Sequence, residues 1–432
     1  MPAQVLANNN QGREGIPLNS PNKNTFNDIR MKGFRKRTEV ALLQEIIRER
    51  LHPLEGEELE LSQLAGRVLC DDVVSEISVP PFDKSAMDGY ALRSEETFGA
   101  GDYNPLKFEV IGEVTPGEEF QGTVGRGQTV RIMTGAPLPR GADAVLMAEH
   151  TTESEGRMLA VEAVTPGKHV IRVGEDIQAQ SVVLKAGRKL RPQDLGVLAS
   201  IGRGRLCVRR RPRVALLITG NELLKPGEKP RGAMIVDSNS VVLQALINRD
   251  GGIVSEVQHL QDDREIIKNA LLECSADILL TTGGTSVGVE DYAPALIEEN
   301  GELLVHGIAM RPSAPTGMGL VQGRPVFLLP GNPVACLAAY DFFVALAVRR
   351  LAGLPEAWPY HSRIVELADR ITSVIGRLDY ARVKIKDSRA HLLATSGASS
   401  LTTTTNSDGF IVVDQDSEGF PAGEKVKVWL YD

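Results

Sequence analysis

The chain has 432 residues, 42% of them hydrophobic, and a formal net charge of −8. That length exceeds one ordinary core and suits two to four domains, while the acidic balance argues against nucleic acid or a membrane surface as the general partner. Its four cysteines, Cys70, Cys207, Cys274 and Cys336, stand far apart; they offer neither a CxxC metal site nor a disulfide framework, and fit a reducing, cytoplasmic setting.

In chain order, residues 1–35 lack the apolar stretch of a secretory signal and read as a disordered tail. "RKRTEVALLQEIIRERL" (36–52) predicts a helix with Val40, Leu42, Leu43, Ile46 and Ile47 on one face. Residues 76–180 alternate short Val/Ile runs with Gly/Pro turns, the texture of a β-rich domain. "RPQDLGVLASIG" (191–202) predicts a helix with Asp194 in an early turn. The arginine run at 203–213 reads by default as a solvated linker, or else as an anion patch. From 213 to 350, strand-like apolar runs alternate with helical ones, which predicts a doubly wound α/β domain with a largely parallel sheet. The stretch 357–432 returns to short strands and turns, as in a small β-barrel. No apolar run reaches the ~18 residues of a spanning helix.

The expected chemistry lies at strand ends of the α/β domain. Three turns, "TGNE" (219–222), "TTGGTSVGVEDY" (281–292) and "LPGNP" (329–333), each follow an apolar run and fall on one edge of the sheet. Glycine lets the backbone approach a ligand, and the helix N-termini that follow offer free N–H groups to an anion. This assigns a phosphate-type cradle to Thr219, Gly220, Thr282, Gly283, Gly284, Ser286, Gly288, Gly331, Asn332 and Pro333. Glu222, Asp237, Asp262 and Asp291 also lie just past apolar runs, where a divalent cation would bridge carboxylates to phosphate; Asp237 is equally placed to cap a helix. Gly284–Gly288 matches G-x-S-x-G, so a hydrolase with Ser286 as nucleophile is a rival reading. Its weakness is that helical spacing resumes only near "APALIEEN".

"VPPFDKSAMDGYAL", "RIMTGAPLPRGADAVLMAEH", "VGEDI", "VALLITGNELL", "DSN", "TTGGTSVGVEDY" and "LLPGNPVACLAAY" occur in this order. With them, residues 38–432 resemble the bacterial molybdopterin molybdenumtransferase family, relatives of the gephyrin E domain. The resemblance implies an elongated, multi-domain homodimer. A split helical unit would comprise 38–75 plus 181–210, a β-rich domain 76–180, the α/β molybdopterin-binding domain 211–356 and a C-terminal β-barrel 357–432. It also implies an Mg²⁺-dependent reaction of adenylylated molybdopterin with molybdate that releases AMP, in a cleft bordered by the partner subunit. The family's functional positions fall on Asp88, Thr134, Asp176, Glu222, Asp262, Asp291 and Arg382, with Ser399 matching a barrel serine; Glu222 and Asp291 are the expected metal ligands.

One segment departs from the family pattern. Gly307 and Ala314 stand where relatives usually carry lysine, Arg311 keeps one cation, and Ala335 replaces a serine. Each charge-assisted contact to an oxyanion contributes roughly 1.5–3 kcal/mol, so the replacements weaken a molybdate site unless Arg311, Arg377 and Arg382 compensate. The second functional expectation is therefore a non-catalytic molybdopterin carrier or scaffold.

Overall fold

The computed structural model describes residues 37–284 and 292–431. Helix α1 (Val40–Arg50) buries Val40, Leu43 and Ile47, whereas Leu42 is 50% exposed. Two residues beyond Val40 lie about 200° around a helix, so Leu42 faces outward although its neighbour Leu43 is buried. The buried stripe packs against the helical stretch 340–351, with Arg350 donating to the carbonyls of Arg48 and Leu51. α1 thus joins the core of the α/β unit.

Residues 56–75 and 181–210 close one small core although the whole β-rich segment separates them. Gly56–Glu60 pairs antiparallel with Arg205–Arg209, and Val73–Val74 with Val182–Leu184. Leu64, Leu69, Leu184, Leu198 and Val208 meet between them. Helix α2 (Pro192–Ser200) contributes Leu198 and is fastened at its start by the buried Asp194. This carboxylate accepts the Arg191 N–H at 2.9 Å and two bonds from Arg188 at 3.0 and 2.8 Å.

Those bonds, chiefly from Arg188, hold the Asp194 carboxyl well below the usual carboxylate range. A depressed folded-state pKa contributes stability above the unfolded value and loses it as pH falls through the folded one. Asp194→Asn is expected to unfold about 2 kcal/mol more easily at pH 7. The gap to wild type should shrink as pH drops below about 4, where the unfolded carboxyl begins to protonate. Urea unfolding at several pH values checks this; a gap independent of pH contradicts it.

Between these halves lies a six-stranded sheet, ordered 144–147, 89–92, 128–132, 106–114, 157–160 and 151–154. Successive side chains of Gly89–Leu92 point to opposite faces, Tyr90 and Leu92 into one apolar cluster and Ala91 into another.

The α/β unit has strands β1 (Arg213–Thr219), β2 (Ile253–Leu260), β3 (Ile278–Thr282), β4 (Gly301–His306), β5 (Gly317–Val321) and β6 (Arg324–Leu329), in the order β2-β1-β3-β6-β5-β4. The pairings from β2 to β6 are parallel, and β5 and β4 add antiparallel. Burial on both faces accounts for unbroken runs such as "VALLIT". Val214, Leu216 and Ile218 face α1, α3 (Asn239–Arg249) and α6 (Pro333–Ala339). Ala215 and Leu217 face α4 (Arg264–Glu273) and α5 (Ala293–Asn300).

The arginine run is neither a bare linker nor an anion patch. Arg210 forks onto Asp277 with two 2.9 Å bonds and also pairs Glu55, while Arg211 donates to the carbonyls of Gly251 and Gly252. Guanidinium donors satisfy carbonyls and a carboxylate at the edge of the α/β unit and lock the crossover in place.

In the C-terminal part, strands 361–367, 378–386, 389–394, 409–413 and 425–430 pair in a closed ring around Leu367, Val383, Ile411 and Val428. Met310–Arg311 joins this ring, pairing parallel with Leu378–Asp379. Trp358 packs edge-on against Phe342 and Phe410, 4.9 and 5.4 Å between ring centres, and cements the barrel to the α/β unit.

Candidate functional site

β1, β3 and β6 are neighbours in the sheet and parallel, so their carboxyl ends deliver three turns to one edge. These turns line a cleft of about 530 Å³ with Thr219, Glu222, Thr282, Gly283, Gly284, Gly331, Asn332 and Pro333. Asp237, Ser238 and Asn239 enter from the start of α3, Pro315 from the 307–317 segment and Ser399 from the barrel.

Close backbone packing builds the floor. Gly283 has φ +80°, and a Cβ there would press into the Thr219 carbonyl. The buried Thr219 hydroxyl donates to the Thr282 carbonyl at 3.3 Å, and Asn239 Nδ2 to the Gly331 carbonyl at 2.8 Å. Ser399 Oγ donates to Asn332 Oδ1 at 2.6 Å, and Val334 N–H to the Ala398 carbonyl at 2.8 Å, so a barrel loop closes one wall. Gly220, at φ +150°, forms the turn that presents Glu222.

Asp237 is buried and uses both oxygens: Oδ1 accepts the Ser240 N–H at 3.0 Å, and Oδ2 meets His259 Nε2 at 3.0 Å. It serves the first turn of α3 as the capping alternative expected and lines the cleft as well. Burial, and secondarily the Asp237 charge, push the nearby Cys336 thiol up. Asp262 is not part of the lining; it exchanges backbone-to-side-chain bonds with Asn221 at 3.0 and 3.2 Å and so braces the turn that carries Glu222. Ser286, Gly288 and Asp291 lie outside the described residues. β3 ends at Thr282 and α5 starts at Ala293, so the G-x-S-x-G reading of Ser286 falls between them, outside the described residues.

The arginines sit behind the walls. Arg311 pairs with the fully buried Asp379, which also accepts Arg377 Nε at 3.1 Å and Ser373 Oγ at 2.8 Å. Arg382 is itself fully buried and donates to the Ser396 carbonyl, while among the described residues its Nε and Nη1 have no hydrogen-bond partner. Burial pushes its pKa down from the ordinary arginine value. It anchors the loop that delivers Ser399. Ser313 adopts φ +105° and donates to the Ala335 carbonyl at 2.6 Å, which docks the turn before Pro315 on α6.

Asp88, Thr134 and Asp176 belong to the β-rich part, away from this lining. Thr134 donates both N–H and hydroxyl to Asp88 Oδ1, at 2.6 and 2.7 Å, which holds the Asp88 carboxyl below its ordinary pKa. Asp176 N–H bonds the Val79 carbonyl, so its loop lies on the segment leading to Asp88. Ile77, Phe82, Met87, Met133 and Val173 on these same loops are 36–51% exposed.

Sequence reasoning missed Asn239, Pro315, Ile235 and His259. Asn239 was within reach, because it completes the "DSN" segment already singled out. The others carry no local signal.

Comparison with known proteins agrees along nearly the whole chain. Residues 38–202 match the MoeA N-terminal region (domain I and II), 215–350 a probable molybdopterin binding domain, and 365–431 the MoeA C-terminal region (domain IV). Molybdopterin molybdenumtransferase 2 of Mycobacterium tuberculosis is 34% identical over 401 residues, 89% of this chain and 98% of that one. The molybdopterin molybdenumtransferase of Staphylococcus epidermidis is 32% identical over 407 residues, 91% and 96% of the two chains. A crystal structure of the molybdopterin biosynthesis MoeA protein from Pyrococcus horikosii superposes with a TM-score of 0.81 at 33% identity, covering 92% of this chain and all of that one. The chain belongs to the molybdopterin molybdenumtransferase family, transferases of molybdenum cofactor biosynthesis.

Proposed function

We propose that the protein inserts molybdenum from molybdate into adenylylated molybdopterin and releases AMP. The observation that carries this reading is the cleft itself: three glycine turns of adjacent parallel strands and the start of α3 converge on one volume. Backbone N–H groups there suit phosphate oxygens. Glu222 is an exposed carboxylate at the cleft. Among the described residues no three His, Cys, Asp or Glu side chains gather into a metal site. Mg²⁺ binds with one or two carboxylates, phosphate and water, so Glu222 at the cleft suits it, with Asp291, outside the described residues, as the second holder that the family resemblance implies. When bound, the ion supplies positive charge against the phosphoanhydride oxygens. The chain's own part is to orient the phosphates and exclude water. The protein works as a homodimer in this reading: Asp88, Thr134 and Asp176, ringed by exposed apolar side chains, complete the partner's cleft.

The second reading, a molybdopterin carrier, draws support from Arg311. That retained cation is engaged by Asp379, and Gly307 and Ala314 bring no charge. One assay separates the two. Purified protein with adenylylated molybdopterin, Mg²⁺ and molybdate is expected to release AMP in step with molybdate. Tight pterin binding without AMP at any molybdate concentration establishes the carrier instead.

A further inference from the structure

The cleft lining carries two carboxylates, Glu222 and Asp237, and among the described residues no lysine or arginine. An anionic substrate therefore meets negative charge. Glu222 has a counter-ion in the proposed reaction, but Asp237 sits on the other side of the turn, at the base of α3. The group that answers it is His259, near the end of the edge strand β2 and opposite Ile218 of β1. Its side chain is 19% exposed, and its Nε2 lies 3.0 Å from Asp237 Oδ2.

We infer that His259 is a positioning residue of the cleft, whose ring N–H holds the Asp237 carboxylate in a fixed orientation and keeps Oδ2 engaged away from an anionic ligand. With Oδ1 on the Ser240 amide and Oδ2 on the imidazole, the carboxylate cannot swing. Its two best acceptor directions are spent inside the protein. Without the ring, Oδ2 is left in a largely buried place with no donor. Freed of that contact, it turns toward the cleft and raises the negative potential where phosphates bind. His259 need not touch the substrate. Its effect passes through Asp237 and falls on binding more than on the chemical step.

This inference rests on the proposed reading of the cleft, and its test separates the two. Wild-type AMP release is measured first. In the same preparations, molybdopterin affinity is titrated by the quenching of protein fluorescence, a readout that needs no turnover. His259→Ala is expected to weaken molybdopterin binding and to raise KM for adenylylated molybdopterin, each about tenfold, with kcat changed less than about threefold. His259→Gln, whose terminal amide presents an N–H donor at a similar reach, should retain most of the affinity. Asp237→Asn placed on His259→Ala should recover part of the loss, because it removes the charge that is otherwise free to turn toward the ligand. A purely structural histidine would show an additive double variant and no rescue by glutamine. Unchanged affinity in His259→Ala, or strict additivity, overturns the inference. Absence of AMP release in the wild type overturns the transferase reading, while the binding series still decides the role of His259.

Discussion

Gly283→Ala is expected to abolish function while leaving most of the protein folded. The new Cβ would lie well inside contact with the Thr219 carbonyl and 3.0 Å from the Thr219 hydroxyl, at a φ of +80°. Both atoms belong to the end of the neighbouring strand, so β1 and β3 must part where the cleft floor is built. Left-handed backbone alone costs a non-glycine residue about 1–3 kcal/mol, and a displacement near 1 Å at a positioning element costs about 100-fold in rate. AMP release should therefore fall by at least about 100-fold, with near-native circular dichroism. Gly187→Ala is the control. It has φ +76° but nothing within 4 Å, so it should lose about 1 kcal/mol of stability and keep its activity. Wild-type turnover in Gly283→Ala would mean that the floor is not where phosphate binds.

Asp250→Ala should give the largest loss of stability. This carboxylate is fully buried and accepts bonds from Arg249 Nη2 at 2.8 Å, Arg349 Nη1 at 3.1 Å and the Tyr340 hydroxyl at 3.1 Å. Arg249 continues to Asp341, which also takes the Tyr360 hydroxyl at 2.9 Å. Burial pushes the Asp341 carboxyl up to about 6 and the Tyr340 hydroxyl well above its ordinary value. The network ties the end of α3 to the 340–351 helical stretch and to the strand entering the barrel. Removing one partner leaves Arg349, itself only 9% exposed, facing an uncompensated site. Such losses run to about 3–5 kcal/mol. Urea unfolding should show a lower midpoint, while KM for adenylylated molybdopterin stays near wild type because the network lies away from the cleft lining. Asp250→Asn should be milder, since the amide keeps one acceptor for Arg349.

Much of the cleft was legible because its signals are local. "ITGNE", "LLTTGG" and "LLPGNP" each join a two-face-buried strand to glycines, and both features are written in consecutive residues. Helix α2 was readable for the same reason. Side chains that act through distant partners were not. Leu42 sits in an apolar run, yet helix geometry turned it outward. Arg210 and Arg211 looked solvated until Asp277 and two glycine carbonyls, far along the chain, met them. Arg311 looked free for an oxyanion, but the parallel pairing of Met310–Arg311 with Leu378–Asp379 sets it beside a buried carboxylate.

The sequence by itself determined the family and the alternation of strands and helices, and it marked the three glycine turns that line the cleft, since backbone freedom and apolar periodicity act over a few residues. The strand order β1-β3-β6 decided that three turns separated by dozens of residues share one cleft, and the barrel's closure decided that Ser399 forms its wall. Tertiary structure alone decided which charges are spent inside the protein: Arg311 on Asp379, Asp237 on His259. A charge's partner is whichever opposite group the packing brings within about 4 Å, and no neighbour in the chain reveals it.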